Sequence, residues 1–322
     1  MLPVAVSAAP GLVRDGLRCL EARRMAVIVN VNGHITDGQS AVVPVLDHGF
    51  LYGEGIYEVI RTYERRLFLF DRHVARLRRS AEMIELPVPF TDAGLYSRIR
   101  ETIEVLDRER DRGGWGPETY VRVLLTRGAG EISYNPSFCR TPTLVVIVKP
   151  LVPQPSEVYG DGVRVVLVPI VRNHPGSVNP LIKSNNLLNN ALAAQHALRE
   201  GAFEAVMRNY RGELSECSLS NLFVVRDGAA LTPPIDAGLL AGITRGFLFE
   251  VGEAVGVRVL ETTLRDEDLL GADEAFLTGT TLEIIPIVHV DDRTIGSGRP
   301  GPVTRKLLQQ FRSMAHERSR GV

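Results

Sequence analysis

Of the 322 residues, 34 are arginine and only Lys149, Lys183 and Lys306 are lysine. Lys183 has the setting for chemistry. It follows the apolar approach Asn179-Pro180-Leu181-Ile182 and precedes Ser184-Asn185-Asn186, which opens a helical pattern continuing to Glu200. Arginine stays protonated, whereas a lysine that is partly desolvated beside the positive end of a helix sheds its proton near neutral pH and attacks a carbonyl. The competing reading is a surface lysine that capping residues happen to follow.

Glu216 lies in LSECSLSNLF (214–223), an apolar and hydroxyl-rich strand. A carboxylate there is either neutral or paired with a cation, and a protonated pyridine nitrogen or a neighbouring arginine would serve. In LLAGITRGF (239–247), Gly242 precedes a helix and leaves the amides of Ile243 and Thr244 free for an anion. LTGTTLEI (277–284) puts Thr280 and Thr281 on a glycine-containing turn, and Arg76 shares a helix side with His73, Ser80 and Met83. Arginine is the bidentate cation that phosphate prefers. Singly, these segments read as a capped helix, an ordinary turn and a solvated side chain. Together they describe a site for an anionic aromatic aldehyde.

The elements that would position these groups follow from local pattern. Residues 26–36 alternate around Asn32-Gly33, a hairpin signal. DHGFLYGEGIYEVIRTYERRLFLF (47–70) begins with a glycine-punctuated turn and alternates through Tyr57, Val59, Arg61 and Tyr63 into a second hairpin. Asp71 is placed to cap a helix with Val74, Leu77, Ala81 and Ile84 on one side, and residues 92–107 form another. Strands at 119–126 and 143–149 complete an α+β unit, and KPLVPQPSEVYGDG (149–162) reads as a linker. Strands are then expected at 163–171, 204–210, 213–217, 221–226, 257–260, 274–278 and 285–290, with helices at 184–200, 243–255 and 302–317. Many short strands and few helices imply a barrel-like core. The expected division is an N-terminal extension (1–24), a small α/β domain (25–150), a linker (151–162) and a large domain (163–322).

Bulk composition excludes other classes. With 44% hydrophobic and 23% charged residues and a net charge of -1, no global field draws the chain to nucleic acid or an anionic membrane. Small-molecule partners are expected. Cys19, Cys139 and Cys217 fit neither a disulfide framework nor a paired-cysteine metal site, so a reducing cytoplasm is expected. No apolar run approaches the roughly 18 residues of a membrane span, and residues 1–24 lack the pattern of a signal peptide. Met25 is a candidate true start. The seven histidines show no metal-ligand spacing, so no metal is expected. Gly53-Glu54-Gly55 lacks the third glycine of a dinucleotide fingerprint, no GxSxG elbow occurs, and His48 beside Asp47 is read as ordering its turn.

From about residue 26 to about residue 312 the chain resembles the class IV, or fold-type IV, pyridoxal-phosphate-dependent aminotransferases. This group includes the branched-chain and D-amino-acid aminotransferases and aminodeoxychorismate lyase. The motifs, in family order, are DHGFLYGEGIYEVIR, HVARL, IKSNNLL, ELSECSLSNLF, LAGITR and TGTTLEIIPI. The resemblance implies a small α/β lobe and a larger barrel-like lobe enclosing pyridoxal 5′-phosphate, in a homodimer. It implies that Lys183 forms the internal aldimine and returns as the proton-transfer base, that Glu216 pairs with the pyridine nitrogen, and that Arg76 binds phosphate. Ile243, Thr244 and Thr280 would hold the phosphate from the other side, Leu240 would pack on the ring, and Ser218 would join the cofactor contacts.

Substrate class turns on the first lobe. Tyr120-Val121-Arg122 resembles the Tyr-x-Arg strand of branched-chain enzymes, whose arginine accepts the side-chain carboxylate of glutamate. That implies a ping-pong exchange between hydrophobic L-amino acids and 2-oxoglutarate, with Tyr57, Tyr120, Arg122 and Thr281 at the substrate. Tyr57-Glu58-Val59 resembles D-amino-acid aminotransferases, but the loop AGEISYNPSF (129–138) lacks their Arg and His. Leu188 stands where many branched-chain enzymes have a tyrosine on the cofactor's phenolic oxygen, which points to relaxed specificity. An aminodeoxychorismate lyase and a cofactor-binding dimer without turnover are the remaining alternatives.

Overall fold

The computed structural model describes residues 26–113 and 115–320. The expected N-terminal extension, Cys19 and the candidate start Met25 lie outside them. The first lobe is built on six antiparallel strands: β1 (Ile28–Val31), β2 (His34–Asp37), β3 (Gly55–Tyr63), β4 (Arg66–Leu67), β5 (Thr119–Thr126) and β6 (Thr143–Pro150). Their order is β2-β1-β6-β5-β3-β4. Asn32 and Gly33 both take positive φ (51° and 98°), the conformation a two-residue hairpin needs to match strand twist.

Alternation on β3 and β5 divides the sheet into two unlike faces. Ile56, Ile60, Val121, Val123 and Leu125 are buried against helices Phe70–Glu82 and Asp92–Gly113 through Val74, Leu77, Ala81, Leu95, Ile99 and Ile103. On the other face Tyr57, Val59, Arg61, Tyr120, Arg122 and Leu124 are only half-buried, and the Tyr57 ring of this face meets the Lys183 amine and the Arg122 guanidinium. Helix Phe70–Glu82 starts differently from expectation. Leu69, in the left-handed region at φ 50°, occupies the cap without a side-chain bond, and Asp71 lies exposed inside the first turn. There it still favours the helix dipole's positive end.

The expected linker is partly ordered: β6 runs through Pro150 and Ser156–Gly160 form a short helix. The second sheet follows with β7 (Val163–Leu167), β8 (Glu204–Arg208), β9 (Leu214–Cys217), β10 (Asn221–Arg226), β11 (Ala229–Thr232), β12 (Val259–Glu261), β13 (Glu274–Gly279), β14 (Glu283–Val290) and β15 (Arg293–Thr294). Its order is β12-β11-β10-β13-β14-β7-β8-β9, with β15 on β14. Edge strand β9 leads through a three-residue turn straight into β10 in the interior, and Cys217 N donates to Ser220 O at 2.8 Å, so the sheet curls into a half-barrel. Phe223 and Phe276, stacked at 4.9 Å, pack it against helices Ile243–Val255 and Pro302–Arg320.

Two expected elements are shorter in the structure. The strand expected over 163–171 stops at Leu167, and the helix expected over 184–200 begins only at Leu188. Residues 184 and 185 instead pair with the first lobe: Ser184 bridges Ile56, and Asn185 N donates to Gly55 O at 2.8 Å. Strand pairing thus satisfies amides that a longer helix would have used. Strand β11 has little apolar alternation, and the Asp227-Gly228 turn before it, both residues at positive φ, is the signal that would have revealed it.

Candidate active site

Between the lobes lies a cavity lined by Tyr57, Arg76 and Arg122 from the first lobe and by Arg172, Lys183, Glu216, Ser218, Leu240, Ile243, Thr244, Thr278 and Thr280, among others, from the second. Lys183 follows the linker in sequence yet is fastened to the first lobe. Its N donates to Ser80 Oγ (3.1 Å), and its carbonyl accepts from Tyr57 N (2.9 Å). Its amine lies 4.5 Å from the centroid of the Tyr57 ring. Burial of the amine and the nearby Arg76 guanidinium pull the lysine pKa down to about 7, against Glu58 and Glu216, with Arg122 adding to the depression. Near neutral pH much of this amine is uncharged and nucleophilic.

The helix that supplies Ser80 presents Arg76 and His73 on the same buried side. Glu58, from β3, clamps Arg76 with Nε donating to Oε1 (2.7 Å) and Nη2 to Oε2 (2.8 Å), while Nη1 donates to Ala241 O (2.8 Å). His73 Nδ1 reaches Glu58 Oε2 at 2.7 Å. Burial alone would raise the Glu58 pKa, but Arg76 and His73 outweigh it and hold the carboxyl at about 2. Burial in turn lowers the His73 pKa. A guanidinium has five N–H donors, so two remain for a ligand in the cavity.

Facing Arg76 is the start of helix Ile243–Val255, whose cap residue Gly242 makes no side-chain capping bond. A Cβ at Gly242 would stand 2.0 Å from Asn221 Oδ1, so only glycine fits. Ile243, Thr244 and Thr280 line the same cavity as Arg76, so the first amides of this helix and the Thr280 hydroxyl are candidate donors for an anion held there. Thr278, on the cavity wall and buried, has an Oγ1 with no hydrogen-bond partner in the protein.

At the other end of the cavity, the cation left open by sequence is supplied by Arg172, whose Nε donates to Glu216 Oε1 at 2.7 Å. Glu216 Oε2 accepts from Leu240 N (3.0 Å) and Asn221 Nδ2 (3.3 Å). A carboxylate offers about four lone-pair directions, so one stays open to a protonated ring nitrogen. Free anion donors, an acceptor with spare capacity, an orphaned hydroxyl and an amine of lowered pKa together fit a phosphorylated pyridine aldehyde.

Not every expected contact assembles. Ser218 lines the cavity, but its hydroxyl points to Glu204 Oε1 (3.3 Å). Tyr120 and Thr281 are absent from the lining: the Lys149 amine lies 5.0 Å from the centroid of the Tyr120 ring, and Thr281 follows the lining residue Thr280 in sequence. Arg122 does enter, with its guanidinium 4.1 Å above the Tyr57 ring. Leu188 is 67% exposed and does not line the cavity, while Asn186 and Leu187, just before the helix start, do. Sequence reasoning missed Glu58, Ser80, Arg172 and Asn221. Nothing in the sequence distinguishes Arg172 from 33 other arginines, but the alternation of β3 gave a usable signal for Glu58 as an inward carboxylate needing a cation. His48, fully buried between Glu54 Oε2 (3.1 Å) and Glu131 O (2.8 Å), orders the first turn. Among the described residues no cluster of three candidate metal ligands occurs.

Residues 55–290 match the family described as amino-transferase class IV. The chain is 35% identical over 286 residues to a Methanocaldococcus jannaschii protein assigned as a branched-chain-amino-acid aminotransferase, an alignment spanning 89% of this chain and 96% of that one. It is 34% identical to the D-alanine aminotransferase of Bacillus licheniformis over 276 residues, 86% of this chain and 93% of the relative. Among solved structures, the branched-chain aminotransferase of the thermophilic archaeon Thermoproteus uzoniensis with norvaline superposes with a TM-score of 0.79 at 32% identity, over 91% of this chain and 95% of that one.

Proposed function

The chain belongs to the class IV aminotransferases, and on that premise we propose that it moves the amino group of a hydrophobic, branched-chain L-amino acid to 2-oxoglutarate by a ping-pong exchange with pyridoxal 5′-phosphate. One observation carries this reading: the Lys183 amine, enclosed between two arginines and two carboxylates with its pKa near 7, faces a cavity that has anion donors at one end and Glu216 at the other. When bound, the cofactor supplies a carbonyl for amines and a ring that takes up the electrons released at the substrate Cα.

The residues divide the remaining work. Arg76, the Ile243 and Thr244 amides and Thr280 hold the phosphate, and Glu216 accepts the hydrogen bond of the ring N–H. Lys183 Nζ takes and returns the Cα proton. Arg122, above Tyr57, receives the second carboxylate of glutamate or 2-oxoglutarate, and Tyr57 flanks the aliphatic pocket. A homodimer is part of the reading. Val42 (78% exposed), Phe50 (72%), Ile132 (77%) and Tyr134 (84%) are large apolar side chains exposed on two segments joined by the Asp47–Ala129 bridge and the Tyr52–Tyr134 ring contact, where a second copy would cover them. No helix among the described residues is long and apolar enough to cross a membrane. The free thiols of Cys139 and Cys217 support a reducing, cytoplasmic setting.

The test is the visible absorbance of purified protein loaded with pyridoxal 5′-phosphate. L-leucine is expected to bleach the Schiff-base band and 2-oxoglutarate to restore it, and Lys183→Ala to abolish band and turnover together. A D-amino-acid enzyme is the second reading, favoured by the Bacillus licheniformis relative. Bleaching by D-alanine but not by L-leucine would establish it in place of the first.

A further inference from the structure

Glu283 opens β14 three residues after Thr280 and has no place in the site described so far. It is buried, and its backbone sits at φ 59°, a left-handed conformation that residues with a Cβ hold only when their surroundings enforce it. Three donors converge on its carboxylate. Tyr63 Oη and Arg61 Nη1 reach Oε1 at 2.8 and 3.0 Å, and Arg312 Nε reaches Oε2 at 2.7 Å. Tyr63 and Arg61 belong to β3 of the first lobe, while Arg312 belongs to the C-terminal helix of the second.

The geography gives this knot a use. Strand β3 also carries Glu58, which aims Arg76, and it receives the lysine's backbone at Tyr57. The turn ending at Glu283 carries Thr280. A phosphate gripped by Arg76 on one side and by Thr280 and the Ile243-Thr244 amides on the other is therefore held by both lobes, and its fit depends on the span between them. We propose that Glu283 is a positioning residue that braces the Thr280 turn against β3 and so sets the width of the phosphate grip. This rests on the pyridoxal 5′-phosphate reading above. The strained φ supports it, because contacts across the lobes rather than local preference fix the turn. Burial and the Glu283 carboxylate also push the Tyr63 pKa well above the usual tyrosine value, so its hydroxyl stays a donor throughout the physiological range.

The test compares two aldehydes that differ only in the group the brace serves. Protein stripped of cofactor is titrated with pyridoxal 5′-phosphate and, separately, with phosphate-free pyridoxal, and Schiff-base absorbance gives each affinity. Glu283→Ala removes the brace outright. Tyr63→Phe deletes one donor, leaves no charge unpaired, and serves if the first variant does not fold. Each is expected to weaken pyridoxal 5′-phosphate binding roughly tenfold or more and to leave pyridoxal binding unchanged. In a Thr280→Val background the added loss should shrink, as it does when two residues act through one contact. Equal losses for both aldehydes, or no loss for either, overturn the brace. If the unmodified protein binds neither aldehyde, the cofactor reading falls and the brace with it; if it binds pyridoxal 5′-phosphate and Tyr63→Phe matches it, the brace alone falls.

Discussion

Two buried carboxylates stand behind opposite walls of the cavity and behave in opposite ways. Glu58, behind the first-lobe wall, holds Arg76 and His73 and has a pKa of about 2. Glu204, behind the second-lobe wall, meets only neutral donors: Ser220 Oγ at 2.7 Å, Ser218 Oγ at 3.3 Å and the Leu219 amide. Burial raises the Glu204 pKa to about 7 despite those bonds. Equal burial thus yields charge at one wall and near-neutrality at the other, and the difference is the presence of an arginine. The first wall is an electrostatic device that aims a guanidinium at the cavity. The second is a hydrogen-bonded frame that holds the turn between Glu216 and Asn221.

Breaking the first wall should have the largest effect. Glu58→Ala leaves Arg76 and His73 buried without their partner, and a loss of about 3–5 kcal/mol is expected in denaturant unfolding. Because the native pKa lies below the ordinary 4.5, this contribution is present above pH 4.5 and fades as pH falls toward about 2. The gap between parent and variant should close over that window. A gap that does not change with pH would mean that Glu58 acts by packing and not by charge.

At the second wall the sign reverses. The Glu204 pKa is raised from 4.5 to about 7, so native stability is lost as pH rises through that interval. Glu204→Gln removes the penalty and should stabilise the protein at pH 8 relative to pH 5 by up to about 3 kcal/mol. A variant that is less stable at pH 8 would show that an unseen cation pairs with Glu204 and that the two walls are alike after all. Smaller still is the effect expected at Gly242, where crowding replaces charge. Gly242→Ala drives a methyl into Asn221 Oδ1, and a cost of about 1–3 kcal/mol is expected, with Asn221 displaced from Glu216. Unchanged stability and unchanged cofactor absorbance would count against a rigid second wall.

Much of this contrast could be foreseen, and the rest could not, for definite reasons. The hairpin at Asn32-Gly33, the alternation of β3 and β5, the helix after Gly242 and the unusual place of Lys183 are local patterns, legible because the periods of strand and helix are written in consecutive residues. Glu58 was half-visible, since its inward register on β3 was clear while its partner on a helix 18 residues later was not. Arg172 and Glu283 were invisible as functional groups. Arg172 precedes Glu216 by 44 residues, and Glu283 meets Tyr63 across 220 residues, distances at which single-sequence pattern carries no pairing information. Tyr120 and Thr281 show the converse: motif places them at the site, yet the cavity wall stops at their neighbours Arg122 and Thr280.

Sequence alone determined which chemistry the chain can hold: a lone lysine between an apolar approach and a helix, an acid in an apolar strand, and a glycine-opened helix start. These are properties of neighbours in the chain, where short-range sterics and desolvation act. Only the tertiary structure decided what that chemistry is worth. It fastened the lysine's backbone to the other lobe, gathered two arginines and two carboxylates around its amine, and brought its pKa to about 7. Charges interact through space, so their balance at one nitrogen is settled by packing between segments that sequence keeps far apart.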